Sequence, residues 1–142
     1  MPTHFSIIHR VQFSETDMAG VVHFSNYFRW MEEVEHEFFR SLGLSVAMEH
    51  EGVQIGWPRV SASCEYLAPA RFEDELELRL WVTRVGQKSL NYEVEFMCRE
   101  KRIARGRISS VCCRLGPGGM ESMAIPAALR EKLGGEPVIG QQ

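Results

Sequence analysis

The 142-residue chain carries 16 basic and 19 acidic residues, for a net charge of -3. Nucleic-acid-binding surfaces need clustered positive charge, so this balance argues against a nucleic-acid partner. No apolar run approaches the roughly 18 residues of a membrane span, and the N-terminus lacks the features of a secretion signal. The four cysteines form no CxxC pair, which argues against a zinc site or a disulfide framework. We expect a single domain over residues 1–142, cytoplasmic and without a membrane partner.

A strand, a loop and one long helix are predicted first along the chain. Residues 4–13 are rich in Phe, Ile and Val, which favours a strand, and 14–25 are polar and contain Gly20, which favours a loop. Ser25 or Asn26 suits the cap of the following helix, and Gly43 suits its end. The helix is predicted over 26–42 because apolar residues recur there at i, i+3 and i+4 spacing: Tyr27, Trp30, Met31, Val34, Phe38 and Leu42.

Strand patterns fill most of the rest of the chain. Apolar and polar residues alternate in three segments, and a fourth strand-like segment follows them: 60–66, 75–83, 90–96 and 103–115. A turn is expected at 116–119 and a short final helix at 125–133, with Pro126 in its first turn. The simplest packing is an α+β fold in which one antiparallel sheet wraps around the long helix. Its exposed edge predicts a homodimer, because a second copy commonly covers such an edge.

The segment before the long helix carries groups suited to chemistry. Asp17 lies in the predicted loop, Gly20 follows three residues later, and the helix begins soon after. Glycine permits a tight turn, and free backbone N–H groups at a helix start favour negative charge. A carbonyl held there would be polarised, and the oxyanion formed on attack would be stabilised. Asp17 would face that carbonyl as nucleophile or as the base for a water molecule.

The same segment resembles the signature of hotdog-fold thioesterases of the 4-hydroxybenzoyl-CoA thioesterase type. In that family Thr or Cys precedes Asp-x-x-Gly-Val/Ile-Val, and Asn-Tyr opens a long helix after aromatic residues. This chain has Thr16-Asp17-Met18-Ala19-Gly20-Val21-Val22, then His23-Phe24-Ser25-Asn26-Tyr27. Weaker likenesses at 66–76, 86–89 and 125–126 extend the resemblance over nearly the whole chain. The resemblance implies a hotdog fold, an antiparallel sheet around one central helix, and hydrolysis of an acyl-CoA thioester without a metal or redox cofactor.

The resemblance also implies roles for single residues. Asp17 matches the catalytic carboxylate, and the backbone N–H of Phe24 matches the group that polarises the thioester carbonyl. The site is expected between the subunits of a homodimer, and the dimers are expected to pair into tetramers. Other positions match substrate-binding residues, and two match a turn near the nucleotide end of CoA: Gly20, Val21, His23, Asn26, Tyr27 and Glu32 for the substrate, Lys88 and Ser89 for CoA.

Several alternatives stay open on the sequence. A non-catalytic acyl-CoA-binding module is one, and a hotdog hydratase or dehydratase is another, with His23 as the nearby histidine that such a site needs. His23 either orients substrate and tunes Asp17 or makes a structural hydrogen bond. The sequence does not decide which acyl group is hydrolysed or whether CoA or a carrier protein bears the thioester. It also leaves open whether Asp17 acts as nucleophile or as general base. Glu35 falls in the apolar arc of the helix, where an unpaired carboxylate is costly, so a subunit-interface ion pair is favoured over a site carboxylate.

Overall fold

The computed structural model describes residues 4–135, which contain two helices and nine strands. The helices are α1 (Asn26–Ser41) and α2 (Ala127–Lys132). The strands are β1 (Phe5–Arg10), β2 (Met48–His50), β3 (Val53–Gly56), β4 (Arg59–Tyr66), β5 (Glu75–Val85), β6 (Ser89–Cys98), β7 (Lys101–Val111), β8 (Cys113–Gly116) and β9 (Gly119–Ser122). In this part of the chain neither helix combines the length and the apolar composition that crossing a membrane requires.

Five strands form the main antiparallel sheet, in the order β1-β5-β6-β7-β4. Burial alternates along β5 and β6, because successive side chains of a strand point to opposite faces. The inner face of β5 is made of fully buried leucines: Leu76, Leu78 and Leu80. Against it lies the apolar side of α1, whose core residues are at most 3% exposed: Tyr27, Trp30, Met31 and Val34. The predicted α+β architecture, a sheet around one long helix, is confirmed.

The start of α1 differs from the prediction in how it is capped. Ser25 is the N-cap residue, but its side chain makes no capping hydrogen bond to the helix. Its hydroxyl lies instead 2.8 Å from the ring Nδ1 of His23. The Asn26 side chain donates to the carbonyl of Glu15 at 2.8 Å, away from the helix. The polar residues at this end therefore fasten the helix to the preceding loop.

The end of α1 and its contact with the sheet both depend on glycine. Gly43 has a φ of 77°, and the Leu44 N–H donates to the Phe39 carbonyl at 2.9 Å, so the predicted glycine stop is confirmed. On β7, Gly106 faces the helix where Met31 packs. A Cβ at Gly106 would lie 2.1 Å from the Met31 sulfur. The absence of a side chain there allows the close approach of α1 to the sheet.

Several predicted boundaries are wrong. The first strand ends at Arg10 rather than at residue 13, and Phe13–Glu15 form a 3₁₀ turn. The segment 103–115 is divided into β7 and β8, because the Cys112 N–H leaves the ladder and donates to the Lys88 carbonyl at 2.7 Å. The final helix is shorter than predicted, and Pro126 is its N-cap rather than part of its first turn.

A second sheet was not predicted from the sequence. It contains four strands in the order β2-β3-β8-β9. β2 and β3 have only three and four residues, which is too short for a visible alternation. The strands predicted over 60–66, 75–83 and 90–96 are confirmed as β4, β5 and β6, with β5 and β6 extending further.

Candidate active site

Asp17 lies in a tight loop that two backbone hydrogen bonds close. Its N–H donates to the Val21 carbonyl at 2.8 Å, and its carbonyl accepts the Gly20 N–H at 3.0 Å. Gly20 has a φ of 80°, which glycine adopts without strain. The side-chain Oδ1 accepts the N–H groups of Ala19 at 2.8 Å and Val21 at 3.4 Å. Residue 17 is exposed, and within residues 4–135 no donor reaches its Oδ2, so this oxygen is available to a substrate or to water.

The backbone N–H of Phe24 lies just before α1 and has no acceptor in the described part of the chain. The carbonyl of the same residue is held firmly. It accepts the hydroxyl of Tyr66 at 3.1 Å and the N–H of Tyr27 at 3.4 Å. Tyr66 ends β4, so this contact fastens the helix start to the edge of the main sheet. An unpaired donor on a fixed backbone at a helix start is suited to polarise a carbonyl.

The other residues predicted to bind substrate near Asp17 have partners within the chain. The ring of His23 bonds to the Ser25 hydroxyl at 2.8 Å, which is the structural role weighed from the sequence. Asn26 donates to the Glu15 carbonyl. Tyr27 is 3% exposed and packs in the aromatic core, where burial raises its pKa to about 12. Their contacts with substrate stay predictions.

Glu15 is a charged residue of this site that the sequence did not single out. Its Oε1 accepts the backbone N–H of Gln12 at 2.7 Å and lies 2.9 Å from Nε2 of His9. Its Oε2 accepts the indole N–H of Trp30, on α1, at 2.9 Å. Burial by itself would raise the pKa of Glu15, but these three hydrogen bonds outweigh it and hold the pKa below its usual value.

Glu35 finds its partner within the same chain, so the predicted pairing across a subunit interface is wrong. Arg59, at the start of β4, donates from Nη1 to Oε2 at 2.8 Å and from Nη2 to Oε1. The Arg59 Nη1 also donates to the Ser110 hydroxyl at 3.1 Å, and the exposed Glu32 lies 3.5 Å from Nη2. Burial by itself would lower the pKa of Arg59, but hydrogen bonding to Glu35 outweighs it and raises the pKa.

Lys88 and Ser89 lie at the opposite end of the main sheet from Asp17. The loop that carries Asp17 follows β1, whose last residue, Arg10, pairs with Glu75 at the start of β5. From Glu75 to the end of β5 the strand covers about 33 Å, and the turn that contains Lys88 comes after it. One copy of the chain therefore does not bring these two residues beside the carboxylate.

Comparison with known proteins identifies the family. The family model described as the thioesterase-like superfamily matches residues 11–133. The chain belongs to this superfamily. The resemblance stated from the motif is thereby confirmed, and so is the prediction of a thioester hydrolase.

Thioesterase-like relatives cover most of the chain. The 1,4-dihydroxy-2-naphthoyl-CoA hydrolase of Prochlorococcus marinus (strain MIT 9313) is 30% identical over 115 residues, 75% of this chain and 76% of that protein. The structure of a gentisyl-coenzyme A thioesterase is 30% identical with a TM-score of 0.77, over 89% of this chain and 99% of that one. The structure of a 4-hydroxybenzoyl CoA thioesterase mutant complexed with 4-hydroxybenzoyl CoA has a TM-score of 0.83 and covers 92% of this chain and 98% of that one. Its sequence is 20% identical, so this similarity concerns the fold alone. The hotdog fold is confirmed.

Two residues that hold the candidate site, Glu15 and Tyr66, and the Arg59 partner of Glu35 were missed because their partners are distant in sequence. Glu15 reaches Trp30 across 15 residues, Arg59 reaches Glu35 across 24, and Tyr66 reaches Phe24 across 42. For Arg59 the sequence did contain an indirect signal. The carboxylate of Glu35 lies on an apolar helix face and required a cation, and no neighbouring residue of the helix supplied one.

Proposed function

We propose that this thioester hydrolase acts on acyl-CoA, with Asp17 as the catalytic carboxylate and the Phe24 N–H as the donor to the thioester oxygen. In one route an Asp17 oxygen attacks the carbonyl carbon, and the C–S bond breaks to give a mixed anhydride and CoA thiolate; water then hydrolyses the anhydride. In the other route Asp17 takes a proton from the attacking water, and the tetrahedral intermediate expels the same thiolate. Both routes give the free acid and CoA.

One observation carries this proposal. Most polar groups of the loop and helix start are hydrogen-bonded within the chain, whereas Asp17 Oδ2 and the Phe24 N–H have no partner among residues 4–135. A carboxylate oxygen can attack a thioester or activate water, and a fixed N–H donor can stabilise the oxyanion that forms. They lie on one short segment, seven residues apart. Asp17 is also the residue at which the family motif has its carboxylate.

The proposed substrates are CoA esters of hydroxylated aromatic acids. The names of two relatives, a 1,4-dihydroxy-2-naphthoyl-CoA hydrolase and a gentisyl-coenzyme A thioesterase, support this choice. Exposed aromatic side chains lie on both sides of Asp17 along the chain: Phe13, which packs against Phe72, and Phe24, whose carbonyl binds Tyr66. These rings favour an aromatic acyl group over a charged acyl chain. The predicted contacts of Gly20, Val21, His23, Asn26, Tyr27 and Glu32 with the acyl end belong to this proposal.

We also propose a homodimer in which β4 pairs with β4 of a second copy. β4 is an outer strand of the main sheet, so one row of its backbone groups faces no other described strand. Val60 is 63% exposed, and Ala62 is exposed although its cross-strand neighbour Ile108 is buried. Antiparallel pairing would cover this edge and bring the start of β4 in one copy beside its end in the other. Sedimentation equilibrium giving a monomer mass at micromolar protein would refute the dimer.

The test of the activity is thiol release from a panel of CoA esters by wild type and Asp17→Asn. The panel contains benzoyl-CoA, its hydroxylated derivatives, 1,4-dihydroxy-2-naphthoyl-CoA and octanoyl-CoA. Asparagine keeps the size of the side chain and removes the charge, so kcat is expected to fall at least roughly a hundredfold.

Glu75→Gln is the matched control, because it neutralises an exposed carboxylate of β5 whose one ion-pair partner among residues 4–135 is Arg10. Its kcat should stay within a factor of two of wild type. Near-normal hydrolysis by Asp17→Asn would refute the role of Asp17. If the wild-type protein binds CoA esters but releases no thiol, the alternative of a non-catalytic acyl-CoA-binding module would be favoured.

A further inference from the structure

We infer that Glu15 is the positioning residue of the proposed active site, holding the Asp17 loop against α1. The inference rests on the proposed role of Asp17. Glu15 does not touch the substrate-facing groups. It acts through the loop, because its carboxylate and its carbonyl together bind both ends of the loop and the first turns of the helix.

The carboxylate of Glu15 joins three separate elements. Oε2 binds the indole N–H of Trp30, on the second turn of α1. Oε1 binds the backbone N–H of Gln12, before the loop, and the His9 ring, on β1. Its side chain is only 18% exposed, so little water competes for these donors. Hydrogen bonds to a charged acceptor are stronger than neutral ones, which makes this carboxylate a firm link between sheet and helix.

The backbone of Glu15 holds the other end of the loop. Its carbonyl accepts the His23 N–H at 2.9 Å and the side-chain amide of Asn26 at 2.8 Å. His23 directly precedes Phe24, and Asn26 is the first residue of α1. A single residue therefore anchors the chain as it enters the loop and as it leaves for the helix.

The loop between these anchors has few other attachments to the core. Thr16 and Val22 pair as an isolated bridge, and the Val22 N–H donates to the Ala70 carbonyl at 2.8 Å. The side-chain bonds of Asp17 stay within the loop, so they do not join it to the core. The position of the carboxylate relative to the Phe24 N–H thus depends on Glu15. A misplacement of about 1 Å in such a pair costs up to about a hundredfold in rate.

The first test compares Glu15→Gln with wild type in thiol release. Glutamine has nearly the same size as glutamate, but its NH₂ group cannot accept a hydrogen bond. That group would face either the indole N–H of Trp30 or the backbone N–H of Gln12, so one hydrogen bond would be lost. We expect kcat to fall roughly ten- to a hundredfold. KM should change less than threefold, because a displaced carboxylate weakens the chemical step more than CoA binding. Circular dichroism must show a folded protein at the assay temperature.

Glu33→Gln is the matched control for charge near the loop. Glu33 lies 3.6 Å from Nδ1 of His9, on the other side of the same ring, and its side chain is 49% exposed. Its kcat should stay within twofold of wild type. If Glu15→Gln does not fold, Glu15→Asp takes its place, since it keeps the charge but is too short to reach both Trp30 and Gln12, and the same fall in kcat is expected.

A spectroscopic measurement separates failure of this inference from failure of the proposed function. In ¹H–¹⁵N correlation spectra, Glu15→Gln or Glu15→Asp should shift the indole resonance of Trp30 and the amide resonances of Ala19 and Val21, the donors to Asp17. If the wild-type protein hydrolyses no CoA ester, the proposed function is refuted. The amide shifts in the Glu15 variants would still test whether Glu15 positions the loop. Unchanged Ala19 and Val21 resonances, or wild-type kcat in a folded variant, would overturn the positioning role.

Discussion

Arg59→Met would remove the guanidinium that donates to both carboxylate oxygens of Glu35. Glu35 is 1% exposed, so no water replaces the lost donors. Breaking a buried ion pair by removing one partner costs about 3–5 kcal/mol. Arg59 itself is 30% exposed, and His36 lies 3.8 Å from Glu35, so we expect the lower end, about 3 kcal/mol. At about 2–4 °C per kcal/mol for a chain of this size, the midpoint of thermal unfolding should fall by about 6–12 °C.

The assay is urea unfolding followed by tryptophan fluorescence, at one protein concentration because a dimer would make stability concentration-dependent. Glu35→Met and the double variant complete a double-mutant cycle. The double variant should lie within about 2 kcal/mol of wild type, because apolar replacement of a buried ion pair is often neutral. If Arg59→Met costs less than about 1 kcal/mol, or if the two single effects simply add, the pair is not coupled and the reasoning is refuted.

Two further predictions concern the helix–sheet contact and the anchor of the loop. Gly106→Ala should destabilise the protein by about 1–3 kcal/mol, because the new methyl group meets the Met31 sulfur. The control is Gly118→Ala, which has open space around it and should change stability by less than about 0.5 kcal/mol. Equal effects of the two variants in urea unfolding would refute the steric account. Because the folded pKa of Glu15 is lowered, its contribution to stability is present above its unfolded pKa and is lost as the pH falls through the folded value. The loss of unfolding free energy between pH 6 and 3 should therefore be smaller in Glu15→Gln than in wild type, and identical pH dependence would contradict the lowered pKa.

The elements predicted well are those whose own residues carry a long pattern. The predicted helix over 26–42 differs from α1 by one residue, because a long stretch with one buried face displays its period locally. β4, β5 and β6 have eight or more residues each and were also found, because apolar and polar residues alternate over at least seven residues of each strand. β2, β3 and β9 have four residues or fewer, and neighbouring strands rather than their own sequence hold them in a sheet.

The sequence by itself determined the fold class and the central part of the candidate site. Asp17, Gly20 and Phe24 lie within eight residues, so the carboxylate, the turn and the backbone donor could all be proposed from one short segment. Only the tertiary structure decided which groups hold them, namely Glu15 bound to Trp30 and Tyr66 bound to Phe24, and it also decided that Arg59 pairs with Glu35 elsewhere on α1. These contacts join residues 15 to 42 positions apart. The packing of α1 in the sheet creates them, and no periodicity in the chain records which charged side chain will meet which donor.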